Sequence, residues 1–336
     1  MRKKEFYIGF DLHKRSTTYS VRHLKGDIVA EGVCATRYGD LRQRLELYLN
    51  RSIIGVEAST SYYSIYQQFK KDGFDIVVAN VIQLRQLIAK NDTLDARRLS
   101  DMLRLGTFPT SYIPDEIIQK LRTLVNVRHR FVIESTRIKN QIQAAMDKNS
   151  INILFKTPFT KRWCYWLEKA IASNDYGSEL KHLYEYYKDV RNRIDRITTE
   201  IIVYCEKNFD HEFRSLQTIN GIGSILSAYL IAEICPISRF KSPKKLRRYA
   251  GVVPCNKESA GKTLSCYVPK VSCRKLLKWA LIEASHSAVR TKSNLTEYYK
   301  KKKKQKGAQK AMVAVASSLC DIVYHVLKNK KTYQAS

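Results

Sequence analysis

The hydrophobic period of this chain changes near residue 113, and that change limits the folds open to it. Up to about Leu105, short apolar runs alternate with amphipathic stretches, the mark of strands interleaved with helices. From Asp115, apolar residues step by four and three instead. Ile117, Leu121, Leu124, Arg128, Phe131, Ser135, Ile138, Ile142 and Ala145 form one seam, and Leu180, Leu183, Tyr187, Val190, Ile194, Ile197, Ile201 and Tyr204 form another. Two such coiled-coil seams cannot belong to one small sheet domain. Polar Arg128 and Ser135 interrupt the first seam, so the pair packs together or against another subunit.

The first region reads strand by strand. Phe6 to Asp11, Thr17 to His23 and Asp27 to Val33 are predicted strands, with Lys25-Gly26-Asp27 turning between the last two. A helix over Gly39 to Leu49 follows, then a buried strand over Ser52 to Glu57, a helix over Tyr62 to Lys71, a strand over Asp75 to Ala79 and a helical stretch to Leu105. The order βββαβαβα is that of an α/β ribonuclease H-like fold, a mixed sheet covered by helices. The expected domains are therefore 1–112 (α/β), 113–212 (helical, coiled-coil) and 213–336, mainly α. In the third, an apolar helix over Ile225 to Ile234 and two more over Arg274 to Val289 and Ala308 to Leu327 are predicted.

Charge narrows the function. The 336 residues carry 60 Lys and Arg against 31 Asp and Glu, a net charge of +29, of which residues 213–336 hold +20 and residues 1–212 only +9. Basic surfaces release counterions from phosphate backbones, so nucleic acid is the expected partner and the C-terminal third its main face. Apolar residues at 44% exclude a disordered basic tail. No uninterrupted apolar run reaches the roughly 18 residues of a membrane span, and the N-terminus lacks a signal-peptide core. A soluble, cytoplasmic, nucleoid-associated protein with no membrane partner is expected. The eight cysteines form no CxxC pair or zinc-spaced cluster and read as reduced structural thiols.

Four carboxylates stand out. Asp11 and Glu57 end predicted buried strands, which are neighbours in a ribonuclease H-like sheet, and Asp92 and Asp95 share one face at a helix start. Singly each has a structural reading, as N-cap, first-turn dipole partner or strand-end charge. Together they would repel unless neutralised, and hard oxygen ligands suit Mg²⁺ or Mn²⁺.

Three blocks carry a resemblance: Gly9-Phe10-Asp11-Leu12-His13-Lys14, Gly55-Val56-Glu57-Ala58-Ser59 and Asp92-Thr93-Leu94-Asp95-Ala96-Arg97. They resemble the DEDD transposases of the insertion-sequence 110 family, relatives of the Piv invertases. Ile219-Asn220-Gly221-Ile222-Gly223, Ser238-Arg239-Phe240-Lys241-Ser242, Tyr249 to Pro254 and Ser259-Ala260-Gly261-Lys262 are similar, in order, to that family's C-terminal domain. The resemblance implies a RuvC-like domain using Mg²⁺ at Asp11, Glu57, Asp92 and Asp95, and a nucleophilic serine, Ser259, in the C-terminal domain. It also implies donor and target DNA as substrates, a bridge RNA as guide, and a homodimer or homotetramer. The chain departs from the family in having one glycine fewer after Ser259, and Val271-Ser272-Cys273-Arg274 stands where Ile-Ser-Lys-Arg-Gly is common, which makes Ser272 the runner-up nucleophile.

Other candidate nucleic-acid contacts are Gly221 and Gly223 before the apolar helix, where backbone N–H groups could meet phosphate. To these are added Lys241, Lys244, Lys245, Arg247 and Arg248 beside Tyr249, and Lys262. The run Lys300 to Lys304 is a solvated charge run or a flexible nucleic-acid arm, and His13 either orients a metal-bound water or is structural. Two rival functions share these features: a RuvC-like nuclease hydrolysing branched DNA without a covalent intermediate, and a basic nucleic-acid-binding protein whose acids are structural.

Overall fold

The computed structural model describes residues 4–59, 61–85, 92–151, 155–173, 178–253, 255–259, 262–267, 273–291 and 293–334, with the side chains at 82, 85, 92–94, 255–259 and 262–267 outside that description. The chain divides into two compact units, Met1–Ile113 and Pro114–Ser336.

The first unit is built on strands β1 (Phe6–Leu12), β2 (Ser16–His23) and β3 (Ile28–Ala35), helix α1 (Tyr38–Leu49), β4 (Ser52–Glu57), α2 (Tyr62–Lys71), β5 (Ile76–Ala79), α3 (Val81–Arg85), α4 (Asp92–Arg104) and a short β6 (Thr110–Ser111). They form one six-stranded sheet in the order β3-β2-β1-β4-β5-β6. The β1-β2-β3 meander is antiparallel, β4 and β5 run parallel to β1, and β6 closes the edge antiparallel to β5. This mixed sheet fits the ribonuclease H-like arrangement.

Side-chain alternation sorts the two faces. Phe6, Ile8, Phe10 and Leu12, with Ile54, Val56, Ile76 and Val78, bury beneath Leu41, Leu45 and Leu49 of α1 and Ile65 and Phe69 of α2. The opposite face, with Tyr7, Ile53, Val77 and Ala79, meets Leu84, Leu99, Leu103 and Phe108. Helix α4 thus lies on the odd-numbered face of β1.

The second unit opens with α5 (Glu116–Lys148), α6 (Lys161–Ala172) and α7 (Ser178–Asn208). Pro114 precedes the start of α5, and the Asp115 carboxylate caps it by accepting from the Ile118 N–H at 2.8 Å. The two long helices pack antiparallel within the chain. Tyr204 Oη donates to the Ile117 carbonyl at 3.1 Å, Arg128 Nε donates to Thr198 Oγ1 at 2.8 Å, and Lys148 pairs with Glu179 at 3.8 Å.

The seam differs from the heptad expectation at its ends. On α5, Ile118 and Val125 are buried, while Ile117 is 47% exposed and Leu124 only half-buried; on α7, Tyr184 and Cys205 are buried beside half-buried Leu183 and Tyr204. The reason is a second partner. Ile118, Leu121, Val125, Ile201 and Cys205 also face the C-terminal helices, which pulls the apolar stripe round by one position. At the far end, Trp163 and Leu167 of α6 complete a separate core with Ile138, Ile142, Met146, Tyr184 and Tyr187.

The remaining elements are α8 (Asp210–Gln217), α9 (Ser224–Ile234), a 3-10 turn (Ile237–Arg239), α10 (Pro243–Ala250), a hairpin of β7 (Cys255–Ser259) and β8 (Lys262–Tyr267), α11 (Lys275–Ala288), α12 (Asn294–Lys306) and α13 (Ala308–Asn329). Helix α9 is buried along Ser227 to Ile234, and so acts as the unit's central strut. Among the described residues, α13 is the one helix long and apolar enough to cross a membrane. Instead its Ala316, Leu319, Cys320 and Val323 pack into the same core as α9 and α11. The Lys300 to Lys304 run is not an irregular arm: it lies inside α12, its charges mostly exposed. Cys205 and Cys235 are buried free thiols, pushed up to about 12 by burial, so they are protonated and unreactive.

Candidate active site

The acids of the first unit are placed by strand register. Parallel pairing aligns Phe6 to Phe10 of β1 with Ser52 to Val56 of β4, so the next residues, Asp11 and Glu57, stand level at the C-terminal ends of adjacent strands. Both share the face of Gly9 and Gly55, the face that α4 covers.

Gly9 explains how closely α4 sits. A Cβ at Gly9 would lie 2.2 Å from the Ala96 carbonyl oxygen and 2.7 Å from the Ser100 nitrogen, and one at Gly55 would lie 2.7 Å from Leu103 Cδ1. Glycine therefore permits backbone-to-backbone approach. The residues met, 96 to 100 at Gly9 and 103 at Gly55, fix the helix's course over the strands. Two strand steps from Gly9 to Asp11 cover about 6.6 Å, or roughly four helical residues at 1.5 Å each. Asp92 and Asp95 belong to the turn of α4 that immediately precedes the Ala96–Ser100 contact. Asp95 is half-buried with its Oδ1 shielded from solvent, Asp11 is 9% exposed, and Glu57 is half-buried. The Asp92 side chain lies outside the described residues.

Side-chain ties hold α4 down along its outer edge. Arg97 makes a two-bond pair with Glu31 of β3, Nε to Oε2 at 2.8 Å and Nη2 to Oε1 at 2.6 Å. Arg97 keeps the Glu31 carboxyl below its ordinary range, chiefly through those hydrogen bonds. One helical turn on, Arg22 of β2 approaches Asp101 of α4 at 3.6 Å, and Arg104 of the same helix pairs with that carboxylate at 2.8 Å within α4. Sequence reading passed over Glu31, because its partner lies 66 residues away; a lone acid at an odd position of an apolar edge strand was the available signal. His13 Nε2 lies 3.2 Å from Asp11 Oδ2, with its own side chain 49% exposed.

The chemistry of this donor set fits a hard divalent cation: oxygen ligands only, one nearly buried, at the ends of two rigid strands. Among the described residues, no three His, Cys, Asp or Glu side chains form a closed metal-holding group. Asp11 and Glu57 share a sheet face, and with Asp95 they are not closed around a point.

In the second unit, Ser259 is the last residue of β7 and pairs with Lys262, the first of β8. Ala260, Gly261 and Ser272 lie outside the described residues. Gly221 has a role in packing: its φ is +90°, and a Cβ there would fall 2.4 Å from the Ala284 carbonyl of α11. Gly223 is the exposed N-cap of α9, with open space about it. Lys241, Lys244, Lys245 and Arg248 are exposed around α10, whereas half-buried Arg247 faces Asp321 of α13 at 3.2 Å. That ion pair ties α10 to α13 and offsets one of the six predicted phosphate-binding charges.

Comparison with known proteins follows the same division. Residues 8–150 match the DEDD transposase model of the IS110 family, and residues 214–300 match the model described as the transposase IS116/IS110/IS902 family. A Sinorhizobium fredii protein carried under the name transposase y4qE is 27% identical over 210 residues, 62% of this chain and 51% of that protein. The transposase for insertion sequence element IS1111A of Coxiella burnetii is 22% identical over 257 residues, covering 73% and 68% of the two chains. The 44.8 kDa protein of insertion element IS116 from Streptomyces clavuligerus is 21% identical over 290 residues, covering 73% and 72%. The chain thus spans about half the length of the first relative and somewhat over two thirds of the others. With both family models matched in order, and the acids of the first set by strand register, the chain belongs to the IS116/IS110/IS902 family of insertion-sequence transposases.

Proposed function

We propose that this protein cuts and rejoins DNA through a divalent-metal site at Asp11, Glu57, Asp92 and Asp95 and a nucleophilic serine, Ser259. The observation that carries the reading is the level placement of Asp11 and Glu57 at the ends of adjacent strands, within a match to the family's DEDD model. Mg²⁺ or Mn²⁺, when bound, would stabilise the charge that builds on a phosphodiester under attack. The Ser259 hydroxyl forms a bond to phosphorus as the bond to one deoxyribose oxygen breaks. Its proton is taken up by a base and returned to the departing oxygen. A second strand's hydroxyl later attacks the phosphoserine, restoring a phosphodiester and the free serine with no net bond lost. Water attack in place of serine would give hydrolysis, with no route back.

The same reading divides labour along the chain: 1–112 holds the metal-dependent acids, 113–212 is a helical middle whose seam is filled within the chain, and 213–336 holds the serine and most of the basic charge, the whole acting as a dimer or tetramer. Lys241, Lys244, Lys245, Arg248 and Lys262 neutralise phosphates, with Gly221 and Gly223 shaping the turn before α9. A bridge RNA selects donor and target DNA. The test is strand exchange with purified protein, the RNA transcribed from the element's flank, and labelled donor and target DNA with Mg²⁺. Asp11→Ala and Ser259→Ala should each abolish exchange while leaving nucleic-acid binding within about twofold. Exchange that survives both substitutions removes the mechanism, and cleavage without a protein–DNA adduct favours the hydrolytic nuclease.

A further inference from the structure

Glu233 is the most deeply buried charge among the described residues of the second unit, with no exposed surface, one position from the end of the apolar helix α9. A carboxylate there is costly unless it is fully partnered, and a buried ion pair is weak evidence for stability as such. Its partner is Arg274, which donates twice, Nε to Oε2 at 2.8 Å and Nη2 to Oε1 at 3.0 Å. Arg274 is the N-cap of α11 and the residue at which the chain returns from the serine-bearing hairpin.

Three further contacts converge on the same spot. The Arg274 N–H donates to the Tyr249 carbonyl at 3.1 Å. Gly251, where the chain leaves α10 with φ +70°, sits against Cys273 so closely that a Cβ would fall 2.4 Å from Cys273 Cβ. Arg239 donates to the Glu233 and Ile234 carbonyls and lies over the rings of Phe240 and Tyr249, at 4.1 and 4.6 Å. The two ends of the segment that carries β7 and β8 are thereby fastened to each other and to the end of α9.

We infer that the Glu233–Arg274 pair is a positioning latch: it holds together the two ends of the chain segment that carries the β7–β8 hairpin and so governs how Ser259 is presented. This rests on the reading of Ser259 as nucleophile. The argument is one of leverage. Four strand steps of about 3.4 Å place Ser259 about 14 Å from Cys255, so a tilt of about 10° at the base moves it by about 2 Å, while a misplacement of about 1 Å costs on the order of a hundredfold in rate. A hairpin hung from a loose base would bind DNA as well as before and react far more slowly.

The test uses the full-length protein with its RNA, DNA and Mg²⁺, and three variants. Glu233→Gln removes the charge, Gly251→Ala displaces Cys273 and with it the neighbouring Arg274 from its seat on Glu233, and Arg274→Lys keeps the charge but loses the fork. The readouts are single-turnover adduct formation, duplex DNA affinity, and hydrogen exchange of residues 252–267 against α9 and α11. The latch predicts adduct rates at least about tenfold lower for Glu233→Gln and Gly251→Ala, an intermediate rate for Arg274→Lys, and DNA affinity within about twofold. Exchange should quicken in the hairpin and stay unchanged in the helices. Should Glu233→Gln fail to fold, Gly251→Ala makes the same prediction alone. Unchanged hairpin exchange in the folded variants, or faster exchange with an undiminished adduct rate, overturns the latch. If the unaltered protein forms no adduct, the nucleophile reading fails, and hairpin exchange alone then decides whether the base is latched.

Discussion

The two units hold their candidate reactive groups in different ways. In the sheet unit, Asp11 and Glu57 are fixed by hydrogen-bonded register between β1 and β4, and α4 is brought down on β1 by Gly9, which lets two backbones touch. In the helical unit, Ser259 ends a two-stranded hairpin whose base is fastened by side chains, Arg274 on Glu233 and Arg239 across two carbonyls. A site built from register tolerates the loss of a surface ion pair. A site hung from a hairpin depends on a few buried polar bonds.

The largest effect that would test this contrast is at Gly9. Gly9→Val puts a branched side chain into the Ala96 carbonyl, and overpacking of that kind costs about 3 kcal/mol or more when backbone must move. Urea denaturation of the variant should show that loss, together with loss of strand exchange. A stability change under about 0.5 kcal/mol would mean that α4 is not seated on β1 as described.

A smaller effect is expected from Glu31→Gln, which breaks the Arg97 tie. The pair is partly exposed, 40% and 41% at its two side chains, so solvent screens it and its loss should change stability only slightly, and less still at high salt. Its contribution has a defined sign with pH. Arg97 depresses the Glu31 pKa, so the stabilisation is present above the ordinary carboxylate value of 4.5 and is lost as pH falls below it. Unaltered protein should therefore lose its margin over Glu31→Gln as the pH is taken below 4.5; a margin that grows on acidification would contradict the pairing.

The smallest expected effect lies at His129 on α5, whose ring packs 4.8 Å from Trp279. Burial, then Arg128, lowers its pKa below the ordinary 6.5. The unfolded chain consequently binds a proton first on acidification, and stability falls as pH drops through 6.5. In His129→Gln the fall between pH 7 and pH 5.5 should be shallower by a measurable margin in urea midpoint. An identical slope in both proteins would show that His129 is not held neutral by its surroundings.

The elements that sequence made legible are those whose pattern is local. β1 and β4 are apolar runs bounded by charge, and the spans Ser52–Glu57 and Tyr62–Lys71 fall where alternation and period place them. The two-residue β6 carries no pattern to read. Helix α6 has only Trp163 and Leu167 as buried anchors among aromatics and charges, too few to mark a face. The Lys300 to Lys304 run looks like an arm, yet Leu295 in the same helix packs on the C-terminal core. At the candidate site the acids were visible because a motif names each one. Glu31, Glu233 and the closeness of α4 to Gly9 were not, since each depends on a residue from 40 to 90 positions away.

The central claim is that Ser259 carries the covalent bond and the sheet acids enable it. It is tested most directly by mapping the residue joined to DNA after reaction with Mg²⁺, using nuclease digestion and mass spectrometry of the tryptic peptides. The account predicts a phosphonucleotide on Ser259, absent without divalent metal and absent in Asp11→Ala. A mapped linkage at Ser272 would move the nucleophile to the other end of the hairpin segment, and cleaved DNA with no linked peptide would contradict covalent serine chemistry altogether.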